Sequence, residues 1–118
     1  MHLNLLVLNT HDVQALVTFY TKIGLTFTEH KHGKGPVHFA YEAQERDFVF
    51  EIYPLPNHQN VDATTRLGFG VENLDSLISG LKSNGILIDS EPKEQPWGYV
   101  AVALDPDGRK VELKQQRS

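Results

Sequence analysis

Residues 8–27 read LNTHDVQALVTFYTKIGLTF, and residues 69–88 read FGVENLDSLISGLKSNGILI. In each stretch an apolar strand end runs into a short polar residue, Asp12 or Asn73, suited to cap a helix. Val13, Leu16, Val17, Tyr20 and Ile23 then recur at helical spacing, as do Leu74, Leu77, Ile78 and Leu81. Gly24 and Gly85 follow as stops. An offset of 61 carries Leu8 onto Phe69, Val13 onto Leu74, Gly24 onto Gly85 and Phe27 onto Ile88. The chain is therefore read as an internal duplication, which fixes equivalent positions before any motif is weighed.

Working outward, LNLLVLN (3–9) reads as a strand before the first helix. LTFTEH, VHFAYE and DFVFEIY supply three strands after it. In the second half LGFGV (67–71) precedes the helix, and ILIDS, YVAVAL and KVELK follow, the last two joined by Asp105-Pro106-Asp107-Gly108, a turn sequence. This predicts module one at 1–54, a polar connector at 55–65 and module two at 66–118, within one 118-residue domain. The same offset, applied without a gap, places Ala40 on Ala101, Glu51 on Glu112 and Leu5 on Arg66.

Composition bounds the function. With 11 Lys and Arg against 15 Asp and Glu the net charge is −4, and no long block of like charge exists, which argues against nucleic-acid or membrane-surface binding. The absence of cysteine excludes disulfide, thiol and zinc-thiolate chemistry. MHLNLLVLNTHD carries neither a basic leader nor a small-residue cleavage site, and no apolar run approaches a membrane span, so a cytoplasmic protein is expected.

Strand alternation divides the residues between two faces. Leu6, Leu8, Phe50, Ile52, Leu67, Phe69, Val111 and Leu113 belong under the helices. In the strands preceding the last of each module, Val37, Phe39, Tyr41, Val100, Val102 and Leu104 are expected beside them. The other face then carries Leu5, Val7, His38, Ala40, Val49, Glu51, Tyr53, Arg66, Gly68, Tyr99, Ala101 and Glu112. Small residues with aromatics and a few polar groups are the composition of a small-molecule pocket. The solvated side of an antiparallel sheet would also be mixed, but Ala and Gly are poor choices there.

LNTHDVQALVTFYTKIGLTF and PWGYVAVALDPDGRKVEL resemble the vicinal oxygen chelate superfamily, which includes glyoxalase I, bleomycin resistance proteins, fosfomycin resistance enzymes and extradiol dioxygenases. The resemblance spans nearly the whole chain. It implies an α+β fold of two tandem βαβββ modules forming a cupped mixed β-sheet with helices on the outer face, commonly in a homodimer. It also implies a metal position with four ligands, from the first and last strands of each module. Glu51 and Glu112 match the two glutamates of that set, while Leu5 and Arg66 stand at the other two places. Leucine offers no donor and a guanidinium repels a cation. No cofactor is thus expected, with a divalent metal ion on Glu51 and Glu112 as the alternative. Arg66 is expected to neutralise both carboxylates instead.

Of the histidines, only His38 falls on the pocket face near Glu51. The pair could serve as acid and base, or simply share a structural hydrogen bond. His30 and His32, beside Lys31 and a glycine-containing turn, read as a solvated loop. Trp97, in KEQPWGY, lies on a loop entering a strand; it either stacks on a flat ligand or plugs an interface. The ligand-binding set is therefore Leu5, His38, Glu51, Tyr53, Arg66, Trp97, Tyr99 and Glu112. Three functions compete: a metal-free protein holding an aromatic or amphiphilic small molecule, a metal-dependent lyase, isomerase or dioxygenase, and a non-catalytic regulatory or assembly module.

Overall fold

A computed structural model describes residues 1–43 and 47–117. The elements run β1 (Leu5–Thr10), α1 (Val13–Ile23), β2 (Thr28–His30), β3 (His38–Ala43), β4 (Phe48–Pro54), β5 (Leu67–Val71), α2 (Leu74–Ser83), β6 (Ile88–Gln95), β7 (Gly98–Leu104) and β8 (Lys110–Gln115). They form two four-stranded mixed sheets of identical topology, ordered β1-β4-β3-β2 and β5-β8-β7-β6. The fold is thus α+β, built of two βαβββ modules. The chain divides into two compact units, Met1–Asp62 and Ala63–Ser118, and the division falls inside the polar connector. Among the described residues no helix is long and apolar enough to cross a membrane.

Both helices start where the caps predict. The Asp12 carboxylate accepts the Ala15 N–H at 3.0 Å, and the Asn73 carbonyl accepts the Ser76 N–H at 3.1 Å. Each offsets one of the orphan donors of a first turn. In the first unit Leu16, Phe19 and Tyr20 of α1 pack on Leu8, Phe50 and Ile52, all buried. Phe19, Tyr20, Phe50 and Phe27 meet in successive edge-to-face contacts, the arrangement ring quadrupoles favour. In the second unit Leu74, Ile78 and Leu81 of α2 are buried, as are Leu67, Val71, Val111 and Leu113 of the sheet.

The face assignment holds in β1, β3, β4, β5 and β8 and fails in β7. Residues directly opposed in an antiparallel pair share a face. Phe39 opposes Ile52 and Tyr41 opposes Phe50, so both lie on the helix side as expected, and Ala40 opposes Glu51. In the second sheet, however, Ala101 opposes Leu113, Ala103 opposes Val111, and it is Val102 that opposes Glu112. Ala101, Ala103 and Tyr99 therefore lie on the helix side, and Val100 and Val102 on the other.

Relative to its counterpart β3, β7 is displaced by one residue from the offset, which turns its side chains to the other face. Its pairing with β6 is irregular as well: Ile88 pairs with Ala103 and Ser90 with Val102, leaving Asp89 as an extra residue in β6, and a second register shift lies between Ser90 and Lys93. The turn before β8 is correspondingly one residue shorter than its counterpart before β4, which restores the offset at Glu112. The duplication is real, but it is not gapless.

That shorter turn holds an ionic cluster the sequence reading left out. Asp105 Oδ1 accepts the backbone N–H groups of Asp107 and Arg109, at 2.9 and 3.0 Å. The Arg109 guanidinium, 1% exposed, donates to Asp105 Oδ2 and Asp107 Oδ2. A buried guanidinium requires such partners, and two carboxylates supply them.

Candidate functional site

In the first unit the face away from α1 carries a polar cluster in an apolar surround. His38 is 2% exposed, and its Nε2 stands 3.5 Å from Glu51 Oε2. Its Nδ1 lies 3.3 Å from the Pro36 carbonyl oxygen. Tyr53, two residues after Glu51 and hence on the same face, stacks on the His38 ring with centroids 4.2 Å apart and planes 8° from parallel. Leu5 and Val7 share this face and are exposed. The pairing of β1 with β4 sets Val7 beside Glu51 and Leu5 beside Val49, so Leu5 is Glu51's diagonal neighbour.

His32 is exposed in the segment after β2, as expected, but His30 is not the solvated residue expected of it. The β2–β3 register sets His30 directly opposite His38, and the His32 ring lies 5.2 Å from the His38 ring. His30 is partly buried, with its Nε2 3.8 Å from Glu42 Oε1. A register closing the 31–37 segment into a hairpin was the available signal. Neither residue's neighbours in sequence reveal it.

In the second unit Pro96 and Trp97 form the tight turn between β6 and β7, with Gln95 opposite Gly98. Trp97 is 57% exposed, and its indole N–H donates to Glu112 Oε1 at 3.3 Å. A cleft of about 730 Å³ opens beside it, lined by Glu72, Trp97, Gly98, Lys114, Gln115, Gln116 and Arg117. Gly98 has φ +139°, and a Cβ there would come within 3.1 Å of Lys114 Cδ. Glycine thus serves both the turn and the passage of the lysine stem. Gly70 likewise makes room for Gln116, whose amide would stand 2.8 Å from an added Cβ. Arg117 is paired with Glu94.

Two expected members stand apart from Glu112. Tyr99 lies on the opposite face, and its hydroxyl donates to Asp75 Oδ1 of α2 at 2.7 Å. That hydrogen bond, with burial and the charges of Asp75 and Glu94, raises the phenol above its ordinary value. Arg66 is exposed just before β5, and among the described residues no ion pair joins it to Glu112, whose partner is Trp97. At the four positions that the resemblance assigns to metal ligands stand two carboxylates, a leucine and an arginine. Those residues do not fit the tetrahedral or octahedral sites of divalent ions, which take three or more N or O donors.

The sequence matches, over residues 2–113, the family model described as Glyoxalase/Bleomycin resistance protein/Dioxygenase superfamily. The chain belongs to that family. No curated protein matches it. Among solved structures it is similar to TnmS3, an antibiotic binding protein from Streptomyces sp. CB03234, at 21% identity and TM-score 0.78 over 99% of this chain and 97% of that one. It is also similar to the oxidase ChaP-H2, at 17% identity and TM-score 0.76 over 99% and 94%. A V278E mutant of glyoxalase I from Zea mays aligns at 21% identity and TM-score 0.79, over 98% of this chain but 45% of the enzyme. At these identities the likeness establishes the fold.

Proposed function

We propose that the protein binds a flat aromatic or amphiphilic small molecule on the sheet faces turned away from the helices, without a metal at the inherited glutamates. The observation that carries this reading is Trp97. Its indole is exposed beside a cleft of about 730 Å³ and is held in orientation by Glu112. An exposed, oriented indole offers a stacking face at low entropic cost. Lys114 and Glu72 on the same lining would fix polar substituents of the ligand. That a similar fold serves an antibiotic binding protein is consistent with this use.

The competing reading, a metal-dependent lyase, isomerase or dioxygenase, draws support from Glu51 and Glu112, the two glutamates of the metal-using pattern. Leu5 and Arg66 weigh against it. The protein is expected to act as a homodimer in the cytoplasm.

Trp97 is the chain's one tryptophan, so its emission reports on the cleft alone. Titration with a panel of planar aromatic compounds should quench or shift that emission for at least one of them. Glu112→Ala, which frees the indole, should weaken the response about tenfold, the scale of one net hydrogen bond. Trp97→Phe should abolish binding measured by calorimetry. A broad panel that leaves both emission and heat unchanged would overturn the proposal.

A further inference from the structure

The cleft beside Trp97 has a lysine laid into it. Lys114 of β8 pairs with Gly70 of β5 on one side and with Val100 of β7 on the other. Its stem runs across Gly98, where an added Cβ would come within 3.1 Å of Cδ and 3.4 Å of Cγ. Gln116, two residues on, leans over Gly70 in the same way. Both long side chains thus rest on bare backbone next to the indole. A lysine normally loses much rotamer freedom when it engages a partner, and a stem already laid against backbone has less to lose.

Most of the other charges around the cleft are matched. The Arg117 guanidinium is paired with Glu94, and Glu112 accepts the indole N–H through Oε1. Lys114 differs: among the described residues no ion pair joins its ammonium to a carboxylate. Glu72 also lines the cleft without an ion pair among them. Strand order decides which of these two charges a ligand on Trp97 meets first. β8 lies between β7 and β5, so Lys114 is one strand from the start of β7, a spacing of about 4.8 Å. Glu72 follows the end of β5, one strand further away. A substituent attached directly to a ring stacked on Trp97 therefore reaches the ammonium and falls short of the carboxylate.

We propose that the ligand is a planar aromatic acid, with its ring on the Trp97 indole and its anionic substituent on Lys114. The inference rests on the aromatic-ligand reading above and adds the sign of the charge. Because the indole N–H is turned to Glu112, the ring face is left for stacking and the lysine for charge. A neutral ring would leave the ammonium without a partner, and a cationic one would meet repulsion from the nearest charge. An ammonium is a compact point charge with no fork geometry to satisfy, so carboxylate and sulfonate serve alike. The site selects for planarity and negative charge before it selects for one particular acid.

The test uses the full chain and three probes of one shape at neutral pH: 2-naphthoate, its neutral amide and 2-naphthylmethylammonium, each titrated by calorimetry. The acid should bind about fivefold more tightly than the amide, the upper end for an exposed ion pair, and the cation more weakly than either. Raising the salt concentration should shrink the advantage of the acid. Lys114→Gln should erase the difference between acid and amide, whereas Lys22→Gln, on α1, should keep it. An amide that binds as well as the acid, with binding lost in Trp97→Phe, would overturn this proposal while leaving the aromatic-ligand reading in place. A preference for the acid that survives in Lys114→Gln would also overturn it, as would tightest binding of the cation, which would point to Glu72. Absence of heat with all three probes and with the wider aromatic panel would overturn both readings together.

Discussion

Asp105 does more for stability than its place in a turn suggests. One carboxylate oxygen accepts two backbone N–H groups and the other accepts from the Arg109 guanidinium, with Asp105 and Arg109 both buried. Asp105→Ala would take one carboxylate from that guanidinium and strip two turn amides of their acceptor. Breaking a buried pair from one side costs about 3–5 kcal/mol, because the remaining charge stays buried. Urea unfolding should show that loss for Asp105→Ala and a smaller one for the partly exposed Asp107→Ala. Tyr99 offers a pH-dependent counterpart. Its hydrogen bond to Asp75 favours the neutral phenol, so its pKa in the folded state lies above the ordinary value near 10. A group raised on folding adds stability below its unfolded pKa and loses it as pH climbs through the folded one. The stability difference between the protein and Tyr99→Phe should therefore shrink above about pH 10. Absorbance at alkaline pH, compared between the two, should locate the late-titrating phenol, and Asp75→Asn should bring it back toward 10.

Among the elements, β7 is the strand of the second unit whose side chains take the face opposite to the one expected. Periodicity and caps made both helices legible, as Asp12 and Asn73 accepting from the first turns confirm. Alternation also gave β1, β4, β5 and β8 their correct sides, because each carries unbroken apolar positions such as Phe50 and Ile52 or Val111 and Leu113. YVAVAL resisted the same reading. Valine and alanine are both acceptable on either side, so nothing in the strand itself marks its register, and the one-residue displacement shows only in its pairing with β8. For the site, Glu51, His38 and Trp97 were legible as polar or aromatic exceptions on their strands and turns. The partial burial of His30 was not, since only the hairpin pairing brings it opposite His38. Substitution distinguishes the two registers of β7. Ala101→Leu adds volume on the fully buried helix side and should cost about 1–3 kcal/mol in denaturant unfolding. It should leave ligand-induced quenching of Trp97 unchanged at concentrations where the fold holds. Had Ala101 faced Glu112, the same change would spare stability and obstruct the ligand.

For the molecule as a whole, exposed apolar side chains gather on β1, the edge strand of the first sheet, on the side turned away from α1. Leu5 and Val7 on β1 are 48% and 40% exposed, and Leu3 just before them is more open still. Neighbouring exposed apolar side chains on one strand of a four-stranded sheet mark a surface that another surface covers. An edge strand that presents them also invites pairing with a further chain. Homodimer formation through this face, proposed from the family resemblance, therefore has a local physical motive in Leu5 and Val7. Sedimentation equilibrium should return twice the 13.3 kDa of one chain. Placing carboxylates in the patch, as Leu5→Asp with Val7→Asp, should shift the mass to that of one chain, because two buried unpaired charges per protomer would oppose contact. Circular dichroism and the Asp105-dependent unfolding midpoint would show whether the separated chain keeps its fold. A doubly substituted protein that remains dimeric would move the interface elsewhere. A parent protein that sediments as a single chain would instead mean that Leu5 and Val7 stay open to solvent.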